Sequence, residues 1–187
     1  SIVRGLAEQE ASFHRMAQDL RQMLQSDMCL VWRLDGRTRR FQIVAWDGDN
    51  DLDTEYRRTT FLNLDAQATR DLFEKKEPVF LSNVQDARSA PYYEPRDYAK
   101  QRGWTSLISI PLLRQERIIG LLDSYTYRKL DRNRMEEWVD KVLPTFARQS
   151  AEAAWSAELS NRLQTIQGLN EVLASTLEEK TILQQIL

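Results

Sequence analysis

Few residues in this sequence could act as a nucleophile, a general base or a soft metal ligand. The chain has one histidine, His14, and one cysteine, Cys29. A Ser-His-Asp or Cys-His arrangement would depend on this single imidazole. His14 follows Phe13 in a helical pattern, and Cys29 lies in the apolar run Met28–Trp32. We therefore expect His14 at a helix surface or helix interface, and Cys29 as a small buried hydrophobe.

Metal and phosphate chemistry find little support in these residues. Zinc sites usually draw on several cysteines and histidines, and one of each argues against a structural site. The six glycines form no glycine-rich loop that opens a helix. We predict no catalytic residue, no metal and no cofactor. A single cysteine allows no intrachain disulfide, which fits a reducing, cytoplasmic setting.

The charge balance argues against a nucleic-acid-binding surface. The net charge is −2, from 26 basic and 28 acidic side chains. The cluster Arg37, Arg39 and Arg40 and the pair Arg57 and Arg58 are too small for a basic footprint. No apolar run approaches the roughly 18–20 residues of a membrane span. We therefore expect no membrane contact by this chain. Because it begins and ends inside helical patterns, it reads as a fragment of a longer protein, and this says little about a membrane segment in the parent.

Hydrophobic periodicity then predicts the elements that position these residues. A helix is expected over about Gly5–Gln25, followed by a hairpin whose strands meet at Asp35 and Gly36. Asp65 suits the N-cap of a helix over about Ala66–Lys76, and Pro95 and Gly103 bracket a short helix. The predicted strands are Met28–Leu34, Phe41–Trp46, Arg58–Leu64, Val79–Leu81, Trp104–Leu113 and Arg117–Tyr127. Pro111 suggests an edge or a bulge, and Gly120 a close backbone approach.

The C-terminal third of the chain reads as helix. A long helix is expected from about Asp131, kinked or divided at Pro144. Apolar residues then recur in a narrow stripe typical of a helix–helix seam: Leu159, Leu163, Ile166, Leu169, Leu173 and Leu177. Ser175 and Thr176 resemble a capping box, which predicts a break and a fresh helix over Leu177–Leu187.

This order of elements indicates an α+β sandwich. We predict a central antiparallel sheet of five to six strands with helices on its faces. Both terminal helices are amphipathic, so they are expected to cover one face together.

The segment Glu77–Asp123 resembles the central signature of GAF domains. The matching stretches are Glu77–Leu81, Asp86, Tyr92–Tyr93, Gly103–Leu107, Ile110–Leu112 and Ile119–Leu122. Ala153–Leu159 looks like the closing helix of that family. The resemblance implies a GAF/PAS-like domain over residues 1–159, with residues 160–187 as a helical linker and the start of a following domain.

The resemblance also bears on cofactors. GAF-like domains that attach a bilin use a cysteine near the pocket helix, and Tyr98–Trp104 contains none. Free-methionine-sulfoxide reductases of this fold rely on several cysteines. The residue set of the cyclic-nucleotide-binding members has no convincing counterpart here.

In the family, ligands lie between the sheet and the segment that follows the third strand. That segment is Asn83–Gly103 in this sequence. The ligand-binding residues this implies are Asp86, Arg88, Tyr92, Tyr93, Arg96, Tyr98 and Trp104. The alternative is that Tyr92 and Tyr93 pin a long loop while Trp104 fills the core.

The resemblance implies a non-catalytic sensory or regulatory domain of a signal-transduction protein, of the histidine kinase or response regulator type. It would bind an unidentified small molecule, form a homodimer through its terminal helices, or do both. If the Leu159–Leu177 stripe pairs with its copy, the dimer is parallel. The alternative for the stripe is packing on the first helix of its own domain. The alternative function is the ligand-binding domain of a transcription regulator whose DNA-binding domain lies outside this chain.

Overall fold

A computed structural model describes residues 2–48, 52, 62–63, 74–91, 93, 95–131, 133, 135 and 138–186. The elements in chain order are α1 (Ile2–Leu24), β1 (Met28–Asp35), β2 (Arg40–Gly48), β3 (Leu62–Asn63), β4 (Val79–Leu81), α2 (Arg96–Arg102), β5 (Ser106–Arg114), β6 (Arg117–Thr126) and α3 (Leu143–Ile186). A π-helical turn over Trp138–Val142 leads into α3.

The described strands form one antiparallel sheet, as the sequence predicted. Its order is β3-β2-β1-β6-β5-β4. The central pair β1 and β6 places Leu30 opposite Asp123, and β5 continues the row with Ser109 opposite Asp123. Residues on three neighbouring strands therefore meet at one level on the same face.

Each face of the sheet has its own hydrophobic core. On the helix face, α1 and α3 cover Cys29, Val31 and Leu122 with side chains such as Leu20 and Leu143. The terminal helices thus share one face, which confirms the expectation from their amphipathic patterns. The opposite face, called the aromatic face below, carries Met28, Leu30, Trp32, Phe41, Leu107, Leu121 and Tyr125.

Three residues with special backbone properties behave as the sequence predicted. A Cβ at Gly120 would lie 2.4 Å from the carbonyl oxygen of Trp32, so only glycine allows β1 and β6 to approach here. Pro111 lies past the three-residue pairing of β4 with β5, next to a bulge at Leu112 and Leu113. Gly103 ends α2 in the left-handed conformation, with φ of 75°.

The C-terminal helix differs from expectation in one respect. Pro144 does mark a division, because the π-helical turn ends at Val142 and α3 begins at Leu143. The predicted break at Ser175 and Thr176 is wrong, since α3 runs through both residues to Ile186. Serine and threonine are only mildly unfavourable inside a helix, and the glutamates that follow are good helix formers.

The region between β2 and β4 is only partly described. Of the predicted strand Arg58–Leu64, Leu62 and Asn63 form β3 and pair with Phe41 and Arg40. Residues 66–73 of the predicted helix Ala66–Lys76 lie outside the described residues. Glu74 and Lys75 form a turn, and Lys76 has a positive φ of 56°.

Candidate functional site

The aromatic face is the part of the sheet that the terminal helices leave uncovered. The segment from Ser82 to Gly103 covers part of it. Hydrogen bonds hold this cover in place: for example, Val84 N donates to Thr105 O at 2.8 Å, and Gln85 Nε2 donates to Trp104 O at 2.7 Å. Val84 and Ala99 contribute buried apolar side chains beneath it.

A buried carboxylate lies at the centre of this face. Asp123 on β6 is 3% exposed. Trp32 Nε1 donates to Asp123 Oδ2 at 2.8 Å, and Ser109 Oγ donates to Asp123 Oδ1 at 2.5 Å. The hydroxyl of Tyr125 lies 3.5 Å from Oδ2, at the limit of a hydrogen bond.

This environment makes the carboxyl group of Asp123 a weaker acid than an exposed one. Burial raises the pKa of Asp123 to about 6, because removal from water disfavours the charged form. The hydrogen bonds from Ser109, Trp32 and Tyr125 favour the charged form and offset part of that rise. Asp123 therefore titrates close to the physiological range.

Aromatic rings extend from the carboxylate towards the covering segment. Trp104 stacks on Tyr125 with ring centroids 4.2 Å apart, and Tyr98 meets Trp104 edge-on at 5.5 Å. The hydroxyl of Tyr93 donates to that of Tyr125 at 3.2 Å. Burial raises the pKa of Tyr93 well above its ordinary value, so the phenol stays protonated.

The structure brings together Tyr93, Tyr98 and Trp104 of the predicted site residues. Trp104 is 1% exposed and fills the core of this face. Arg102 Nε donates to the hydroxyl of Tyr98 at 2.9 Å. Tyr93 and Tyr98 are partly buried at the border of the aromatic core.

Arg96 also lies near this group. Its Nη2 donates to Ala90 O. Its Nε is buried and has no hydrogen-bond partner among the described residues. A buried donor without a partner is costly, which makes this atom a candidate contact for an acceptor from outside the chain.

Asp86 and Arg88 are placed differently. The carboxylate of Asp86 accepts from Arg88 N at 2.9 Å and from Ser89 Oγ at 3.1 Å, which closes a local turn. The same bonds lower the pKa of Asp86 below its usual value. Arg88 is exposed, and Tyr92 lies outside the described residues.

The sequence reasoning missed the residues at the centre of the site: Asp123, Trp32, Ser109 and Tyr125. A signal was available for Asp123. It interrupts an apolar strand between Leu121 and Tyr125, which point to the same face. A charged residue at such a position must be buried, and it needs partners.

The lone histidine and cysteine lie away from this site. His14 is exposed on α1, with its ring 5.9 Å from that of Trp46. Cys29 is fully buried on the helix face, where its sulfur lies 3.4 Å from Ser26 Oγ. Burial raises the pKa of Cys29 to about 12, so the thiolate is absent at neutral pH. Both placements are as expected from the sequence.

A groove lies at the junction of the sheet and α3. This groove of about 520 Å3 runs between the β5–β6 hairpin and the first turns of α3, and its walls include Ile110, Pro144 and Arg148. Lys76 and Glu116 face each other across its rim at 3.9 Å. None of the predicted site residues lines it.

Within the described part of the chain, no group of three or more histidine, cysteine, aspartate or glutamate side chains is placed to hold a metal ion. The described helices likewise include none that is long and apolar enough to cross a membrane. On the aromatic face, buried apolar side chains surround a few fixed polar groups. This combination suits the binding of a small molecule.

Solved structures share this fold at low sequence identity. The GAF domain of an Acinetobacter phosphoenolpyruvate-protein phosphotransferase is 19% identical, with a TM-score of 0.61 over 86% of this chain and 94% of that one. A GAF domain/HD domain protein from Geobacter sulfurreducens is 15% identical, with a TM-score of 0.62 over 83% and 97%. A type II free methionine-R-sulfoxide reductase from Thermoplasma acidophilum is 17% identical, with a TM-score of 0.57 over 80% and 94%. At these identities the likeness shows the fold alone.

No curated protein matches the sequence closely. The family model of the GAF domain matches residues 8–157, which is most of the chain. The fold and the sequence signature agree on one family of small-molecule-binding regulatory domains: this chain belongs to the GAF domain family.

Proposed function

We propose that this domain is a non-catalytic sensor that binds a small molecule on its aromatic face, in a signal-transduction protein of the histidine kinase or response regulator type. The observation that carries the proposal is the buried Asp123 with its Trp32 and Ser109 donors. A perturbed ionisable group in an apolar, aromatic setting marks a candidate functional site.

The covering segment supports the same site. Tyr93 links it to Tyr125 through their hydroxyls, and Arg96 presents a buried Nε without a partner among the described residues. A ligand that supplies an acceptor to Arg96 would satisfy this donor. It would also hold the segment against the sheet, because Arg96 and Tyr93 both belong to that segment.

The positions of the aspartate, cysteine and histidine side chains that could take part in catalysis support binding over catalysis. Asp123 is fully buried and already accepts from Ser109 and Trp32, which leaves it poorly placed for proton exchange with a substrate. Cys29 lies on the other face of the sheet with its pKa raised to about 12. His14 is exposed on α1.

The sheet gives a route from the ligand to the terminal helices. Strands β1, β5 and β6 carry residues of both cores, so Asp123 is followed directly along β6 by Ser124 on the opposite face. Leu143, Ala147 and Ala151 of α3 pack on that opposite face. A ligand would signal if its affinity differs between two arrangements of α3 against the sheet.

The test is a thermal-unfolding screen of the purified protein against single metabolites, including amino acids, nucleotides and organic acids. A ligand at 100 times its dissociation constant adds about 2.7 kcal/mol to the free energy of unfolding. For a chain of this size, that corresponds to a rise in Tm of roughly 5–10 °C.

Matched tyrosine variants locate the binding. Tyr93→Phe removes the hydroxyl that bonds to Tyr125 and should reduce the shift. Tyr127→Phe removes a hydroxyl from a ring that is 38% exposed and should leave the shift unchanged. A shift that both variants retain would place the ligand elsewhere.

A further inference from the structure

The groove between the β5–β6 hairpin and α3 has the size and the floor of a small-molecule site. Its volume of about 520 Å3 falls within the roughly 300–1,000 Å3 of known ligand pockets. Ile110 and Pro111 are buried and form its floor, and Leu113 and Pro144 extend the apolar surface to the rim. An apolar group that enters the groove would therefore leave water, which favours binding.

One wall of the groove is a stripe of α3. Pro144, Ala147 and Arg148 lie three and four residues apart, which places them on the same side of the helix. Ala147 is buried against the sheet, whereas Arg148 is exposed. The stripe therefore has an apolar base and a cationic outer edge.

The charges that line the groove favour an anion. The chain has a net charge of −2, but the groove is lined by three cations and two anions: Lys76, Arg114, Arg148, Glu116 and Glu152. Lys76 pairs with Glu116 at 3.9 Å, and Arg114 also has an interaction partner. Arg148 forms no hydrogen bond or ion pair with another described residue. Its guanidinium group is thus available to a bound anion.

The edge of the sheet beside the groove is closed to a further strand. The pairing of β4 with β5 ends at Val79 and Ser109. Pro78 directly precedes Val79, and Pro111 lies two residues after Ser109. Neither proline has a backbone N–H to donate, so an added peptide strand would lack hydrogen bonds of the ladder. The groove therefore suits a small molecule better than an extended peptide.

Three non-glycine residues at the rim have left-handed backbone conformations. The φ angle is 56° at Lys76, 46° at Gln115 and 61° at Glu116. Gln115 and Glu116 form the two-residue turn between β5 and β6, where asparagine and glycine are the usual residues. Strained backbone is concentrated at ligand-binding sites, and here it holds the Lys76–Glu116 pair at the mouth of the groove.

We propose that this groove is a binding site, separate from the one on the aromatic face, for a small carboxylic acid with an apolar body. The carboxylate pairs with Arg148, whose planar N–H donors match its two oxygens. The apolar body lies on Ile110 and Pro111. Because Arg148 is exposed, the apolar contact supplies most of the affinity and the ion pair supplies the preference for an acid.

The position of the groove gives such a ligand direct access to the C-terminal helix. Its two walls belong to different elements, the β5–β6 hairpin and the first turns of α3. A bound acid that contacts both walls stabilises the placement of α3 in which they are correctly spaced. The groove therefore regulates α3 without any change on the aromatic face.

The test is a titration of the whole chain with three acids, followed by amide NMR spectra. The acids are hydrocinnamate, indoleacetate and octanoate, and the controls are hydrocinnamyl alcohol, tryptophol and octanol, which keep the apolar body without the charge. We expect at least one acid to shift the amides of Leu113, Thr145 and Arg148 in a saturable manner. It should bind about fivefold or more tightly than its alcohol. The amides of Trp104 and Tyr125 should not shift.

Two matched variants test the role of the guanidinium group. Arg148→Gln should remove the preference for the acid and leave the affinity for the alcohol unchanged. Arg15→Gln removes an exposed cation from α1, outside the groove, and should change neither affinity. Both arginines are exposed, so both variants should fold, and the same spectra report whether they do.

Four results would overturn the proposal. These are equal affinities of the parent for each acid and its alcohol, an unchanged preference in Arg148→Gln, no binding of any of the three acids at millimolar concentration, and shifts confined to Trp104, Tyr125 and their neighbours. The last result would support a site on the aromatic face and refute the groove alone. Shifts at the groove without any ligand on the aromatic face would support the groove and leave the sensor proposal without its site.

Discussion

Replacement of Asp123 by asparagine should remove one specific part of the pH dependence of stability. In the folded protein the pKa of Asp123 is raised from 3.8 to about 6. Below pH 6 the folded state therefore binds a proton that the unfolded chain binds only near pH 4. Protonation of Asp123 therefore increases the free energy of unfolding as the pH falls. This contribution is lost as the pH rises through 6.

The size of the effect follows from the two pKa values. A shift of about two units corresponds to roughly 3 kcal/mol between the fully protonated and fully ionised limits. Between pH 7.5 and pH 5 the group contributes about 1.4 kcal/mol of that difference. Asparagine fits the site because Ser109, a hydroxyl that can accept as well as donate, can turn to face the amide nitrogen.

The assay is urea denaturation of the parent and Asp123→Asn at pH 5 and pH 7.5. Between pH 7.5 and pH 5, the free energy of unfolding of the parent should rise by about 1.4 kcal/mol more than that of the variant. Asp35 and Asp86 have lowered pKa values and are present in both proteins, so they cancel in the comparison. Equal changes in the two proteins would refute the reasoning that a buried, ionised carboxylate sits at the centre of the aromatic face.

Three further predictions concern individual contacts. Trp32→Phe deletes the Nε1 donor to Asp123 and should lower the free energy of unfolding by about 1–3 kcal/mol in urea denaturation at pH 7.5. The loss should be smaller at pH 5, where Asp123 is mostly protonated. An equal loss at both pH values would contradict a bond to the charged form. Gly120→Ala should destabilise by about 2 kcal/mol or more because its Cβ would lie 2.4 Å from Trp32 O, whereas Gly36→Ala, with no atom within 4 Å, should change the urea midpoint little. Cys29 should react with a thiol reagent at pH 8 only at the rate of unfolding, since it is fully buried with a pKa of about 12; rapid labelling of the folded protein would show that the helix face opens.

The fold was largely predictable because its signals are local. The nearly continuous apolar runs of β5 and β6, divided by a short polar turn, and the helix end at Gly103 are each recognised from neighbours a few positions away. The predicted helix break at Ser175 failed because a capping-box pattern also occurs inside continuous helices. A pattern of a few residues does not show whether the capping box or the helix propensity of the surrounding residues decides the local structure.

The site was less predictable because its parts are distant in sequence. Trp32 and Asp123 are 91 positions apart and meet only through the pairing of β1 with β6. The resemblance located the covering segment, which supplied Tyr93 and Tyr98, and Trp104 directly after it. It did not identify the strand residues that those rings contact, because strand register is not visible in a single sequence.

Native mass spectrometry of the freshly purified protein, with a denaturing run beside it, tests the central claim most directly. The account predicts an added mass, held without a covalent bond, that is lost on denaturation and is weakened by Tyr93→Phe but not by Tyr127→Phe. A bare polypeptide mass that stays bare after incubation with cell-derived small metabolites would contradict a sensor on the aromatic face.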